Sequence, residues 1–211
     1  MVVALIVQPQ IVSREKTTDA ERPTASQVLQ QAGPLTAMSP PDRKVTAISL
    51  RVPNHNARPG GVEPGAIIIH GTGSGAPGGG NESFTQLRRW FSSSRDVSAH
   101  YAIDRKGKVV QFVADSRRAW HVAAPGWNDI SIGIELINDN SGTQPFSEPQ
   151  LIATRRLVQQ LGTRHDIPAE YVYRHRDVQP WDRADPAYNF PWKAFKSSLK
   201  PGGAPAPLTS R

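Results

Sequence analysis

Residues 66–82 read AIIIHGTGSGAPGGGNE. A run of isoleucines leads into His70, and glycine dominates the loop after it. The β-branched run predicts a buried strand over 66–70 that ends at the histidine. The junction has two readings. Gly71, Gly73 and Ala76 fit G-x-G-x-x-A, the spacing that brings backbone against a pyrophosphate at a helix N-terminus. That device needs a helix to open at once, and Pro77-Gly78-Gly79-Gly80 breaks helix instead. No G-K-[ST] is present, which excludes a P-loop. In the other reading His70 is the functional residue, and the loop through Glu82 is a mobile rim bordering a cleft.

On either side of this stretch the pattern changes. Residues 47–52 read as a strand. Residues 82–93 carry Phe84, Leu87 and Trp90-Phe91 at helical spacing. Residues 97–104 and 108–113 read as hairpin strands joined at Arg105-Lys106-Gly107. The segment SIGIELIN, 131–138, alternates as a strand does. Residues 148–165 form the longest expected helix, with Leu151, Ile152, Leu157, Val158 and Leu161 on one face. A short strand, 171–173, stops before His175, and 191–199 is the last helix. This mixture predicts an α/β fold: a central mixed β-sheet flanked by helices in a single domain, 46–199. Residues 1–45 read as a polar linker with a short helix at 25–32, and 200–211 as a disordered Pro/Gly/Ala tail.

A chain of 211 residues suits one domain with a sizeable core. It has no cysteine, which excludes disulfides, thiolate metal sites and a cysteine nucleophile. No apolar run approaches the roughly 20 residues of a membrane span. The opening MVVALIV has no basic residue before its apolar run, and reads as a signal remnant or as a short apolar tag or strand. The net charge of +7 favours anionic partners such as nucleic acid, anionic membranes or wall polymers. The cations come as scattered pairs and match no nucleic-acid motif, so no nucleic-acid partner is expected. A monomer is expected.

The chemistry gathers where strands end. His70 closes one strand, His175 follows another, and Asp185 lies ten residues later in HRDVQPWDRADP. The crevice beyond strand ends collects functional groups in open α/β sheets. Two imidazoles and a carboxylate there suit zinc with a fourth position left for water. Glu135 sits between Ile134 and Leu136, where a carboxylate is costly to bury unless paired or used. Beside a metal it would act as general base; alternatively it lies on the solvent face of an edge strand. His100 reads as a buried structural histidine, His55 as a turn residue, and His165 as a partner of its helix C-terminus.

The blocks IIIHGTGSG, VSAHYAIDRKGKVVQFV, RRAWHVAAPGWNDISIGIELIN and HRDVQPWDRADPAYNFPW occur in order across about residues 50–196. In them the sequence resembles the zinc-dependent N-acetylmuramoyl-L-alanine amidases, whose fold is shared by some phage lysins and the peptidoglycan recognition proteins. The resemblance implies His70, His175 and Asp185 as zinc ligands and Glu135 as the glutamate that activates water. Arg183 falls where many members carry a lysine that stabilises the oxyanion; arginine keeps the charge on a bulkier, forked group. Ala187 stands where glycine is common. Trp120, His121, Trp127 and Asn128 match the substrate cleft, although either tryptophan reads equally well as core.

These readings lead to a zinc-dependent amidase that cuts between N-acetylmuramic acid and L-alanine in peptidoglycan or its fragments, endolysin-like, in the cell envelope or secreted. The alternative is a module of the same fold that binds peptidoglycan without cutting it.

Overall fold

Ile67, Ile68 and Ile69 are fully buried in the strand β3, Ala66–Gly71. A continuous apolar run is what a central parallel strand covered on both faces requires. The computed structural model describes residues 43–73, 75 and 83–200. The expected helix at 25–32, the mobile rim of the glycine loop and the expected C-terminal tail lie wholly or mostly outside these residues.

β3 pairs in parallel with β7, Ser131–Leu136, and with β8, Val172–Arg174. β7 pairs in parallel with β4, Tyr101–Ile103. β5, Val109–Gln111, returns antiparallel from β4, and the edge strand β1, Ile48–Ser49, runs parallel to β5. The six-stranded order is β1-β5-β4-β7-β3-β8. The sheet is mixed, as expected. Gly107, in the left-handed region, makes the β4–β5 turn.

Within the described residues the expected strands and helices are present, mostly shortened. Among the described residues five α-helices flank the sheet: α1, Phe84–Phe91; α2, Trp127–Ile130; α3, Glu148–His165; α4, His175–Val178; and α5, Trp192–Leu199. Ser83 caps α1 and Ser147 caps α3, each accepting a backbone N–H three residues on. Leu151, Leu157, Val158 and Leu161 of α3 join Ile67, Ile69 and Phe195 in the larger core. Leu87 and Phe91 of α1 pack with Val110 and Phe112 in a smaller one.

The sequence reading missed a second, two-stranded antiparallel sheet, β2 (His55–Ala57) with β6 (Arg117–Ala119). Its segments HNA and RRA show no apolar alternation. Side chains lace them instead: Arg117 Nε donates to His55 Nδ1 at 3.2 Å and Arg118 Nε to Asn56 Oδ1 at 2.8 Å.

Candidate active site

Two strand ends and a returning loop meet at one cavity. β3 delivers His70 at its C-terminal end. β8 ends at Arg174, and the chain turns at once into α4, whose first residue is His175. Asp177 holds that turn by accepting the Arg174 backbone N–H at 2.9 Å. The loop after α4 brings back Asp185, whose carbonyl accepts the Arg176 N–H at 3.1 Å.

His70 Nδ1 lies 3.0 Å from His175 Nδ1, and His175 Nδ1 lies 3.1 Å from Asp185 Oδ2. The third edge, His70 Nδ1 to Asp185 Oδ2, is 3.5 Å. All three residues are buried, and they are the cluster with metal-ligand spacing among the described residues. Ligand atoms about 2.0–2.1 Å from a tetrahedral zinc stand about 3.3 Å apart, which these edges bracket. The donor inventory agrees. Gln179 Oε1 accepts the Ala123 N–H at 2.6 Å, so His175 Nε2, 3.3 Å away, donates to that same oxygen. In the neutral imidazole this leaves His175 Nδ1 a bare lone pair facing a carboxylate oxygen. Two acceptors that close call for a cation, and the residues fit one.

The electrostatics follow from burial. It lowers the His70 pKa to about 4, helped by the nearby His175, against the opposing pull of Asp185. Burial alone would raise Asp185, but its bonds to His175 and His70 outweigh that and hold it well below the usual carboxylate range. Glu135 is the register partner of His70 across β3 and β7. Its Oε2 is buried without a hydrogen-bond partner among the described residues. Burial, with the Asp185 charge added, raises its pKa to about 8 in the metal-free chain. A buried carboxyl oxygen left unpaired among the described residues, beside three ligand atoms, is chemically poised.

The cavity, about 840 Å³, is lined by His70, Glu135, His175 and Asp185 together with Trp120, His121, Asn128 and Arg183. Arg183 stands at the mouth with its side chain 43% exposed, and its Nη1 contacts the Asp182 carboxylate at 3.2 Å. Trp120 carries the Arg118 guanidinium over its ring at 4.2 Å. His121 is buried with its Nδ1 3.0 Å from His70 Nε2. The Asn128 side chain is consumed locally, accepting the His121 and Val122 N–H groups and donating to the Val122 carbonyl. Trp127 corrects its cleft assignment: it is in the larger core, edge-on to Tyr173 at 5.3 Å, and does not line the cavity.

The sequence reading missed Trp90 and Gln179. Helical spacing put Trp90 on the apolar face of α1, yet it is 38% exposed and lines the cavity. Gln179, fully buried, carried no sequence signal. His100 is structural, accepting the Gly133 N–H on Nδ1 at 3.0 Å. His165 turns to the Asp115 carboxylate at 3.0 Å. Ala187 packs into the larger core.

Comparison with known proteins agrees with this geometry. Residues 60–188 match the family Amidase_2, N-acetylmuramoyl-L-alanine amidase. The chain is 29% identical over 177 residues to the 1,6-anhydro-N-acetylmuramyl-L-alanine amidase AmpD of Enterobacter cloacae, covering 74% of this chain and 91% of that protein. It is 30% identical over 162 residues to AmpD of Escherichia coli, covering 68% and 87%. A crystal structure of a selenomethionine AmpD derivative superposes with a TM-score of 0.63 at 25% identity, covering 73% of this chain and 94% of that one. The structure of PlyL, at 22% identity and a TM-score of 0.60, covers 76% and 100% and shares the fold. The likeness to these 1,6-anhydro-N-acetylmuramyl-L-alanine amidases overturns one expectation, the envelope or secreted location read from the sequence.

Proposed function

The chain belongs to the N-acetylmuramoyl-L-alanine amidase family, an enzyme acting on peptidoglycan fragments, and we propose that His70, His175 and Asp185 hold zinc and that Glu135 is the general base. The substrate we assign is a soluble muropeptide carrying a 1,6-anhydro-N-acetylmuramyl group, the class named for the AmpD relatives. The observation that carries the reading is the triangle of ligand atoms, 3.0, 3.1 and 3.5 Å on its edges, beside a β3–β7 register that sets Glu135 level with His70.

Zinc, when bound, polarises the scissile carbonyl and acidifies water. The protein's own groups do the rest. Glu135 accepts one proton from the attacking water as its oxygen bonds to the lactyl carbonyl carbon. The C–N bond then breaks, and Glu135 returns the proton to the departing nitrogen. The products are a lactyl carboxylate and a stem peptide with a free L-alanine amine. Arg183, at the mouth, offers its charge to the developing oxyanion. Trp120 supplies a rigid wall against the sugar-peptide. A binding-only module would lack a ligand or the base, and this chain keeps all four residues.

The test uses purified enzyme and its His70→Ala variant after chelation, with and without zinc restored. Each is given an anhydro-muropeptide and, separately, polymeric peptidoglycan, and mass spectrometry looks for free stem peptide. Zinc-restored release from the anhydro-muropeptide by wild type alone is the expected result. Release from the polymer only would overturn the substrate class, and release without zinc would overturn the metal.

A further inference from the structure

Each metal-facing imidazole has its far nitrogen bonded to a side chain that the amidase reaction itself does not use. The proton positions along the first of these chains are fixed from its outer end. Ser131 Oγ donates to the Trp127 carbonyl at 2.5 Å. Its only proton is thereby spent, so toward His121 Nε2, 3.3 Å away, Ser131 can only accept. His121 therefore carries its proton on Nε2 and presents a bare Nδ1. That atom lies 3.0 Å from His70 Nε2, which must donate to it. The outcome is a His70 whose Nδ1 lone pair is turned toward His175 and Asp185. The ring of His121 cannot retreat, because it lies against Gly133 so closely that a Cβ there would be 2.6 Å from its Cγ.

The second chain is shorter. Gln179 Nε2 donates to Asp182 Oδ1 at 2.7 Å, which fixes the orientation of the amide. Its Oε1 then receives both the Ala123 N–H and His175 Nε2. These two chains share a feature. Both reach the segment 120–123, whose four residues all line the cavity. His121 ties that segment to His70 through its ring, and the Ala123 N–H shares its acceptor with His175.

We propose that His121 and Gln179 are positioning residues that lock the two imidazoles in the ligating tautomer, and that they couple the order of the 120–123 cleft wall to metal occupancy. The inference rests on His70, His175 and Asp185 being the metal site. Outer hydrogen-bond partners of a ligating histidine fix its ring orientation and raise its basicity, and their loss costs 10–100-fold in affinity in metal sites generally. Here the same partners also hold the wall against which the substrate lies. By reciprocity, a metal that orders these imidazoles also orders the wall, and disturbing the wall weakens the metal.

The test measures zinc affinity by competition with a chelator for wild type, His70→Ala, His121→Leu, His121→Asn and Gln179→Met. Asparagine sets an acceptor oxygen near the place of His121 Nδ1, whereas leucine fills space without one. The expected result is one tight zinc in wild type, none in His70→Ala, a 10–100-fold loss in His121→Leu and Gln179→Met, and recovery of most of that loss in His121→Asn. Hydrogen exchange at the Ala123 amide is expected to slow on zinc addition in wild type, and this response is expected to vanish in Gln179→Met. Equal losses in His121→Leu and His121→Asn would mean that the ring only fills space, and would overturn the positioning role. An Ala123 amide indifferent to zinc would overturn the coupling. A wild type that binds no zinc would overturn the metal-site reading itself, and this proposal with it.

Discussion

His70 and Glu135 are direct register partners on the adjacent parallel strands β3 and β7, so their side chains leave the sheet on the same face and at the same level. A one-residue slip of either strand would send one of them to the opposite face. The proposed metal ligand and the proposed base are thus placed by backbone pairing, on rigid elements and not on loops. Glu135 touches none of the three ligand atoms through a hydrogen bond, and its Oε2 has no partner among the described residues. Glu135→Gln is therefore expected to keep a bound zinc, unlike His70→Ala, while lowering kcat by about 10²–10⁴. Chelator competition and stem-peptide release, measured on the same preparation, check both halves. A Gln variant with wild-type turnover would remove Glu135 from the base role.

The close approach at Gly133 gives a second expectation. Its φ is not in the left-handed region, so the strand itself would accept alanine. The obstacle is the His121 ring, whose Cγ, Nδ1 and Cδ2 would all lie within 2.6–2.9 Å of the new methyl group. That ring is held by His70 on one side and Ser131 on the other. Gly133→Ala should cost about 1–3 kcal/mol of stability through overpacking and weaken zinc binding as well. Denaturant unfolding of the metal-free protein separates the first effect from the second, read by chelator competition.

Much of this was legible in the chain. Ile67–Ile69 declared a central strand, and the spacing of Leu151, Leu157, Val158 and Leu161 declared α3, because each pattern reports burial of its own segment. The four block resemblances carried His70, Glu135, His175 and Asp185 to one place. What stayed hidden depends on partners distant in sequence. Nothing in HNA or RRA announces a strand, since β2 and β6 are specified by each other through Arg117–His55 and Arg118–Asn56. Trp90 obeyed helical spacing and still faces the cavity, because an apolar stripe does not say whether a neighbouring element covers it. His121 looked like cleft, and its bond to His70 appears only once β7 brings Gly133 under its ring.

The Asp115 network at the other end of β4 carries a pH expectation. This buried carboxylate accepts from Tyr101 at 2.6 Å, Gln111 at 3.0 Å, Arg164 at 2.7 Å and His165 at 3.0 Å. Burial alone would raise its pKa; the bonds from His165, Tyr101 and Arg164 more than offset that and hold it well below the ordinary range. A carboxyl lowered in the folded state adds stability above its unfolded pKa, about 3.9, and that stability is lost as pH falls through the folded value. Asp115→Asn should therefore cost about 3–5 kcal/mol at pH 7, as expected when one partner of a buried ionic network is removed. The gap between variant and wild type should narrow by about 1 kcal/mol at pH 3, where the unfolded wild-type carboxyl has taken up its proton. Urea unfolding at the two pH values checks it; a gap that is constant or widens would contradict the assignment.

Arg183 gives the last expectation, and it turns on what the guanidinium does besides pairing with Asp182. Its Nη1 contacts both the Asp182 carbonyl and carboxylate at 3.2 Å, while Asp182 also accepts from Gln179. An exposed pair of this kind contributes little to stability, so holding Asp182 is a weak reason for a cation at the mouth of the cavity. Stabilising an oxyanion is a stronger one, and it depends on positive charge more than on the planar fork. Arg183→Ala should then lower kcat by about 10²–10³ with a smaller change in KM, and Arg183→Lys should keep most of the activity. Asp182→Asn separates the two roles, since it removes the carboxylate charge beside the guanidinium while its amide oxygen can still accept from Gln179 Nε2, and it should leave kcat close to wild type. If Arg183→Ala raises KM alone, the charge serves substrate binding and not the transition state. If Asp182→Asn matches Arg183→Ala in kcat, the ion pair is what positions the charge.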